Sequence, residues 1–283
     1  MISQEIEFHT PKKLSDALAL MQRYGEDARL LAGGMSLVPI MNLGLVQPKI
    51  VISLNHIPEL DYISDDKNGL RIGATTRHYK VQSSDLIQKY CPVLAEAAGY
   101  IGDVQVRHRG TIGGSLSHAD PAADYPTVMV TMNAQFKLRS AKGERTVKAR
   151  DFFVGLMQTS LGQGEMLAEI QIPKLAEGFG SSYQRLHRIE GNFPIVNATA
   201  VIEKGFKATR LGLGGVGQTV VLVDVSGRLS KGLNDAALKG VSDDCYAASA
   251  DAYGDLNGDA EYRRAMIRIF AQRAVKAAVA AMR

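Results

Sequence analysis

Two stretches of the chain carry residue types that can hold an anion without a metal: LAGGMS at 31–36 and RHRGTIGGSLSHADPAADYP at 107–126. A pyrophosphate flanked by bulky sugars needs several backbone N–H donors pointing inward and no side chain in the way. Glycine leaves that approach open and reaches positive φ, and consecutive N–H groups form a nest for an anion. Gly33, Gly34 and Ser36 offer this after a strand, and Thr111, Gly113, Gly114 and Ser115 offer it again. The hydroxyls of Ser36, Thr111 and Ser115 add further donors. Asp120 and Asp124 follow the second stretch and can bond ribose or adenine hydroxyls. A plainer reading stands beside each feature: glycine pairs also join packed elements through tight turns, and Asp120-Pro121 is itself a turn signal. Taken together, the two stretches are expected to grip one ligand from two sides.

Other chemistries find less support. GLGGVG at 212–217 matches the dinucleotide fingerprint letter by letter, but that motif needs a strand before it and a helix after it. Here the strand-like Thr219–Val225 follows at once, so no helix N-terminus meets a phosphate, and the segment is expected to be a hairpin turn. There is no G-x-x-x-x-G-K-[ST] stretch and no G-x-S-x-G elbow, and Ser115 and Ser117 near His118 are sequence neighbours rather than a triad. No catalytic side chain is assigned. The two cysteines, Cys91 and Cys245, cannot build a four-thiolate site, and the six histidines show no tight pair at ligand spacing. No protein-held metal is expected, and both thiols are read as inert packing residues.

The elements that must position these residues follow from periodicity. A strand at EIEFHT leads to a helix near Leu14–Tyr24, with Ser15 or Asp16 in its positive first turn. ARLLAGG reads as a short buried strand, LVPIMNLGL starts a helical turn, and KIVISL is a strong strand, making a small α/β unit over 1–55. Residues 56–175 read as a second unit: a hairpin with Asn68-Gly69 at its turn, helices punctuated by Pro92, a helix running into a strand at YPTVMVTMNAQFKLRS, then ERTVKARDFF and EMLAEIQIP. A composition break at KLAEGFGSS opens a third unit, 176–283. It reads as antiparallel strands with helices on one face, the last helix near Glu261–Met282.

The 283 residues suffice for about two domains. A composition of 46% hydrophobic and 22% charged residues is that of a globular protein. The net charge of +4 is mild and not gathered into the basic stripe of a nucleic-acid binder. The absence of tryptophan argues against a stacking platform for single strands. No apolar run reaches the roughly 18 residues of a membrane span, and MISQEIEFHTPKKLSDALAL lacks the order of a signal peptide. A cytoplasmic location is expected.

LLAGGMSLVPIMNLGLVQP, LRIGATTRH, VRHRGTIGGSLSHADPAADYP and GEMLAEIQIP together resemble the FAD-binding middle subunit of molybdenum hydroxylases, the xanthine dehydrogenase and carbon monoxide dehydrogenase family. GDAEYRRAMIRIFAQRAV resembles the same subunit's terminal helix, so the resemblance spans essentially the whole chain. It implies an α+β fold: two α/β subdomains of the vanillyl-alcohol-oxidase (PCMH) type clasping FAD, capped by a C-terminal α+β domain with an antiparallel sheet and helices. It also implies roles. Leu31, Ala32, Gly33, Gly34, Met35, Ser36 and Leu37 would wrap the pyrophosphate, and Thr111, Gly113, Gly114 and Ser115 would complete that grip, with His118 beside them. Asp124 would bond the ribityl or ribose side, with Asp120 close by. Ile101 would lie against the isoalloxazine, Leu167 and Ala168 would border the adenine, and Arg185 would stand near the flavin.

Two positions depart from the family pattern. Met35 stands where relatives usually have a polar residue, and the family's GDY segment reads GNF at Gly191, Asn192 and Phe193. Phe193 can shield a ring but cannot donate a hydroxyl hydrogen bond, and it can equally be read as a core aromatic. The chain also lacks the four-cysteine insertion of the benzoyl-CoA reductase branch.

The implied partners are a large molybdopterin-binding subunit and a small subunit with 2Fe-2S clusters, assembled as a dimer of heterotrimers. Electrons would run from the clusters through FAD to an external acceptor. A free-standing FAD-dependent oxidoreductase and a cofactor-free binding or assembly module are the competing readings.

Overall fold

The computed structural model describes residues 5–282; residues 1–4, the start of the segment read as lacking a signal peptide, and residue 283 lie outside them. The chain opens with β1 (Glu7–His9), α1 (Leu14–Tyr24), β2 (Ala28–Leu31), α2 (Leu37–Asn42) and β3 (Ile50–Ser53). The three strands form a parallel sheet in the order β1-β3-β2. Central β3 is buried along its whole length, as a strand flanked by two others must be. Helix α1 buries Leu14, Ala17 and Leu18 against it and carries Asp16 in its first turn. Gly25, at φ +53°, ends α1 by donating its N–H to Met21 O.

The second unit runs through β4 (Ile63–Asp66), β5 (Gly69–Gly73), α3 (His78–Ser83), α4 (Asp85–Tyr90), α5 (Pro92–Gly99), α6 (Val104–Arg109), α7 (Ile112–His118) and α8 (Asp124–Thr131). It continues with β6 (Gln135–Ser140), β7 (Gly143–Lys148), α9 (Ala149–Phe152), β8 (Phe153–Gly155), β9 (Gln158–Thr159) and β10 (Met166–Pro173). Its five-stranded sheet has the order β4-β5-β10-β6-β7 and is antiparallel throughout. The β4–β5 turn falls on Lys67 and Asn68, one residue before the expected pair, because Gly69 already pairs with Asp66. Pro92 starts α5 at its first turn, where its missing N–H costs nothing. Cys91 packs in the core of this unit and Cys245 in the next; burial pushes both thiols up to about 12, which leaves them unreactive.

The third unit is a meander of β11 (Gly180–Leu186), β12 (Val196–Ile202), β13 (Thr209–Gly214) and β14 (Val221–Asp224), followed by α10 (Ser226–Leu229), α11 (Asp235–Ala248) and α12 (Ala260–Ala280). GLGGVG closes the β13–β14 hairpin. The sheet is covered on both faces. Ala198, Ala200, Leu211 and Leu213 pack with α11 and α12, whereas α5 and α8 of the second unit lie on the other face. Strand alternation sorts the residues: Tyr183 and Val201 join the core of the second unit, and Gly212 lies under α8. A Cβ at Gly212 would come within 2.9 Å of Thr127 O and overlap the Thr131 hydroxyl, so helix and strand approach as only glycine permits.

Candidate functional site

The two glycine stretches meet. A Cβ on Gly33 would overlap the carbonyl oxygen of Arg109 and come within 2.7 Å of Gly110 Cα. Beside this contact opens a cavity of about 750 Å³, a volume typical of small-molecule sites. From the first stretch it is lined by Leu31, Ala32, Gly33, Gly34, Met35, Ser36 and Leu37. From the second it takes Thr111, Gly113, Gly114, Ser115 and His118, and Ile101, Asp124, Leu167 and Phe193 also line it.

The amides of the two stretches differ in kind. Among the described residues, no protein group accepts from the N–H of Ala32, Gly33, Gly34, Met35, Ser36 or Leu37, until Val38 N closes on Gly34 O at 3.1 Å. Six successive donors without protein partners are more than the four that a helix start by itself leaves open. Gly34 sits at φ +79°, the reversal that a nest of amides requires.

The second stretch is instead the capped start of α7, and its amides from Ile112 to Ser115 are already spent. Ile112 N donates to Thr76 O at 3.0 Å, Gly113 N to Ala74 O at 2.9 Å, and Ser115 N to Thr111 O at 3.0 Å. Gly114 N donates to Thr111 Oγ1 at 3.2 Å. The expectation of a second open nest is therefore corrected: this stretch gives the cavity a close-packed wall. Its glycines are there for packing, since a Cβ on Gly113 would lie 2.6 Å from Ala74 O. Thr111→Val keeps the shape and removes the cap acceptor. It is expected to lower stability by about 1 kcal/mol, read as a shifted urea midpoint at unchanged slope, whereas Thr111→Ser should not.

Three expected residues lie off the cavity. Asp120 accepts from Ala122 N at 2.8 Å and so turns the chain toward Asp124. Ala168 lines a different cavity, of about 480 Å³. Leu167 packs with the core of the second unit and Ala168 with that of the first, and of the two only Leu167 faces the larger cavity. Arg185 stands behind Asp124. Its Nη1 donates to Asp124 Oδ1 at 2.8 Å, the two side chains being 3% and 4% exposed. The Tyr183 hydroxyl donates to the same oxygen at 2.6 Å. Burial pushes the Asp124 carboxyl up, against the opposing pull of Arg185 and Tyr183. Phe193 is 54% exposed at the cavity, which removes the core reading, and Met35 is 41% exposed.

Several lining residues were not singled out from the sequence. Met157, at φ +53° in the β8–β9 turn, and Leu161 and Glu165, around the LGQG loop, all face the cavity. The glycines of that loop were the available signal. Glu165 is held below the ordinary carboxylate value, first by its hydrogen bonds from Arg145. His78 bonds the Tyr125 hydroxyl at 3.0 Å. Burial, helped by the charges of Arg77 and Arg107, lowers His78 to about 3, so it stays neutral. Arg77 bonds both Asn55 Oδ1, at 2.6 Å, and the Arg109 carbonyl, joining the end of the parallel sheet to the second stretch. Burial also lowers His118, with Asp120 opposing. Among the described residues no cluster of His, Cys, Asp and Glu could hold a metal ion, and no helix is long and apolar enough to cross a membrane.

Residues 4–175 match the family described as the FAD binding domain in molybdopterin dehydrogenase. The chain is 38% identical to the carbon monoxide dehydrogenase medium chain of Hydrogenophaga pseudoflava, over 98% of each chain. It is 33% identical to the glyceraldehyde dehydrogenase medium chain of Sulfolobus acidocaldarius, over 98% of this chain and 99% of that one. A solved structure of the Hydrogenophaga pseudoflava carbon monoxide dehydrogenase, in a form lacking the Mo-pyranopterin moiety of its molybdenum cofactor, superposes with a TM-score of 0.94 over 100% of both chains.

Proposed function

Since the chain belongs to the family of FAD-binding domains in molybdopterin dehydrogenases, we propose that it is the FAD-carrying oxidoreductase subunit of a molybdenum-containing hydroxylase or dehydrogenase. The observation that carries this reading is the run of six unpartnered amides from Ala32 to Leu37 along the 750 Å³ cavity. That donor set fits a diphosphate and needs no metal. Thr111, Gly113, Gly114 and Ser115 close the other side by shape, with His118 alongside. Asp124 faces the ribityl or ribose hydroxyls, Ile101 and Phe193 flank the isoalloxazine, and Leu167 borders the adenine.

Bound there, FAD supplies the electron-transfer chemistry. The chain's own part is to bind and orient it and to limit water around it. Arg185 and Tyr183 fix the Asp124 carboxylate from behind, and His78, neutral and buried, adds no charge to the cavity. No acid–base residue is required of this chain.

The relatives matched over nearly their full length are named medium chains, which favours a subunit over a free-standing flavin enzyme. The partners that complete the reading are a large subunit with the molybdenum cofactor and a small subunit with 2Fe-2S clusters, in a cytoplasmic dimer of heterotrimers. Held by these residues, FAD would relay electrons from the clusters of the small subunit to an external acceptor.

The test begins with the purified chain, incubated with FAD and gel-filtered. One flavin per chain is expected, and protein that elutes without flavin absorbance overturns the reading. Affinity purification of the tagged chain from its native source should bring down one molybdenum-containing and one iron-containing polypeptide. Recovery of the chain alone, active with flavin, would replace the subunit reading by the free-standing one.

A further inference from the structure

We infer that Arg185 is a positioning residue that sets the flavin end of the cavity without touching it, an inference that rests on the FAD reading above. Arg185 is absent from the cavity lining, yet it binds two groups that do line it. One guanidinium nitrogen holds Asp124 Oδ1 at 2.8 Å and Tyr100 O at 3.1 Å, and the other holds the carbonyl of Asn192. Among the described residues, that carbonyl is the one backbone group of residues 191–193 bonded outside its own loop.

The ends of the loop are tied, by Arg188 to Leu256 O at 3.4 Å and by Ile195 N to Leu186 O at 2.7 Å, but residues 191–193 have little else to hold them. Asn192 N turns back to Ile189 O at 3.2 Å, and Gly191, at φ +81°, merely rests on Gly102. Phe193 follows at once, a large apolar side chain more than half exposed and without a core to anchor it. A planar fork that bonds the helix carrying Asp124 and the loop carrying Phe193 fixes the distance between them. Lysine has three donors but on one nitrogen at the end of a flexible stem, so it lacks the rigid spacing of two nitrogens that holds helix and loop apart.

The chain contains no tryptophan, so Phe193→Trp installs a single reporter at the lip. In the full chain without FAD, adding Arg185→Met or Arg185→Lys should lower the anisotropy of that indole to the level of a free loop. Quenching of the indole by added FAD should weaken, and the FAD dissociation constant should rise about tenfold. Arg185→Lys keeps the charge opposite Asp124 and should restore thermal stability without restoring anisotropy, a split that a purely structural ion pair would not give. If Arg185→Met does not fold, Arg185→Lys decides alone. Parental anisotropy and quenching in a folded Arg185→Lys chain overturn the inference. Failure of FAD to bind the unsubstituted chain overturns the FAD reading instead, and leaves the anisotropy comparison standing.

Discussion

Exchange of Gly33 for valine is expected to give a folded chain that no longer retains FAD. The added side chain meets backbone, the Arg109 carbonyl and Gly110 Cα, and not the yielding end of a flexible side chain. Relief therefore requires the two stretches to separate, a repacking that costs about 1–3 kcal/mol. The separation also displaces donors of the Ala32–Leu37 run, each of which is useful only while it points at the same ligand. A loss of at least about 100-fold in FAD affinity, roughly 2.7 kcal/mol, follows. Gly227→Ala is the control: no atom lies within 4 Å of a Cβ built there, and both affinity and urea midpoint should match the parent. Parental affinity in the Gly33→Val chain would mean that the two stretches do not hold one ligand between them.

The largest loss of stability is expected from Asp124→Leu. That exchange leaves the Arg185 guanidinium charged and 97% covered, with its carboxylate gone and the Tyr183 hydroxyl without its acceptor. Breaking a buried pair in this way costs about 3–5 kcal/mol. Asp124→Asn keeps an acceptor oxygen for both donors, and its cost should stay nearer about 1–2 kcal/mol. Denaturant unfolding of the two variants beside the parent measures the difference. Equal midpoints for Asn and Leu would show that an acceptor oxygen at this position contributes nothing to Arg185 and Tyr183.

Local features were legible in the sequence to the degree that they depend on neighbours along the chain. The helix over Leu14–Tyr24 follows from its apolar spacing, the start of α5 from Pro92, and the hairpin at GLGGVG from the strand that succeeds it. The first glycine stretch could be read as an anion site because its chemistry is its own backbone.

The second stretch misled because TIGGS serves equally as a nest or as a capped helix start, and the choice was made by acceptors at Ala74 and Thr76, far off in the chain. Arg185 could be ranked as near the site, but its distance from the ligand depends on Asp124 and Asn192, contacts that no local pattern encodes. Leu167 and Ala168 read alike as apolar neighbours, and their division between two cores depends on a strand whose register shifts between Leu167 and Glu169, which no local pattern encodes.

The unequal state of the two stretches couples the chain's thermal survival to the supply of its ligand. A chain synthesised without dinucleotide completes the α7 wall during folding and leaves the opposite loop as a set of unmet bonds that only solvent answers. By linkage, each tenfold excess of FAD over its dissociation constant then adds about 1.4 kcal/mol to the folded state. Flavin starvation would thus register as turnover of the subunit itself, before any electron has been moved.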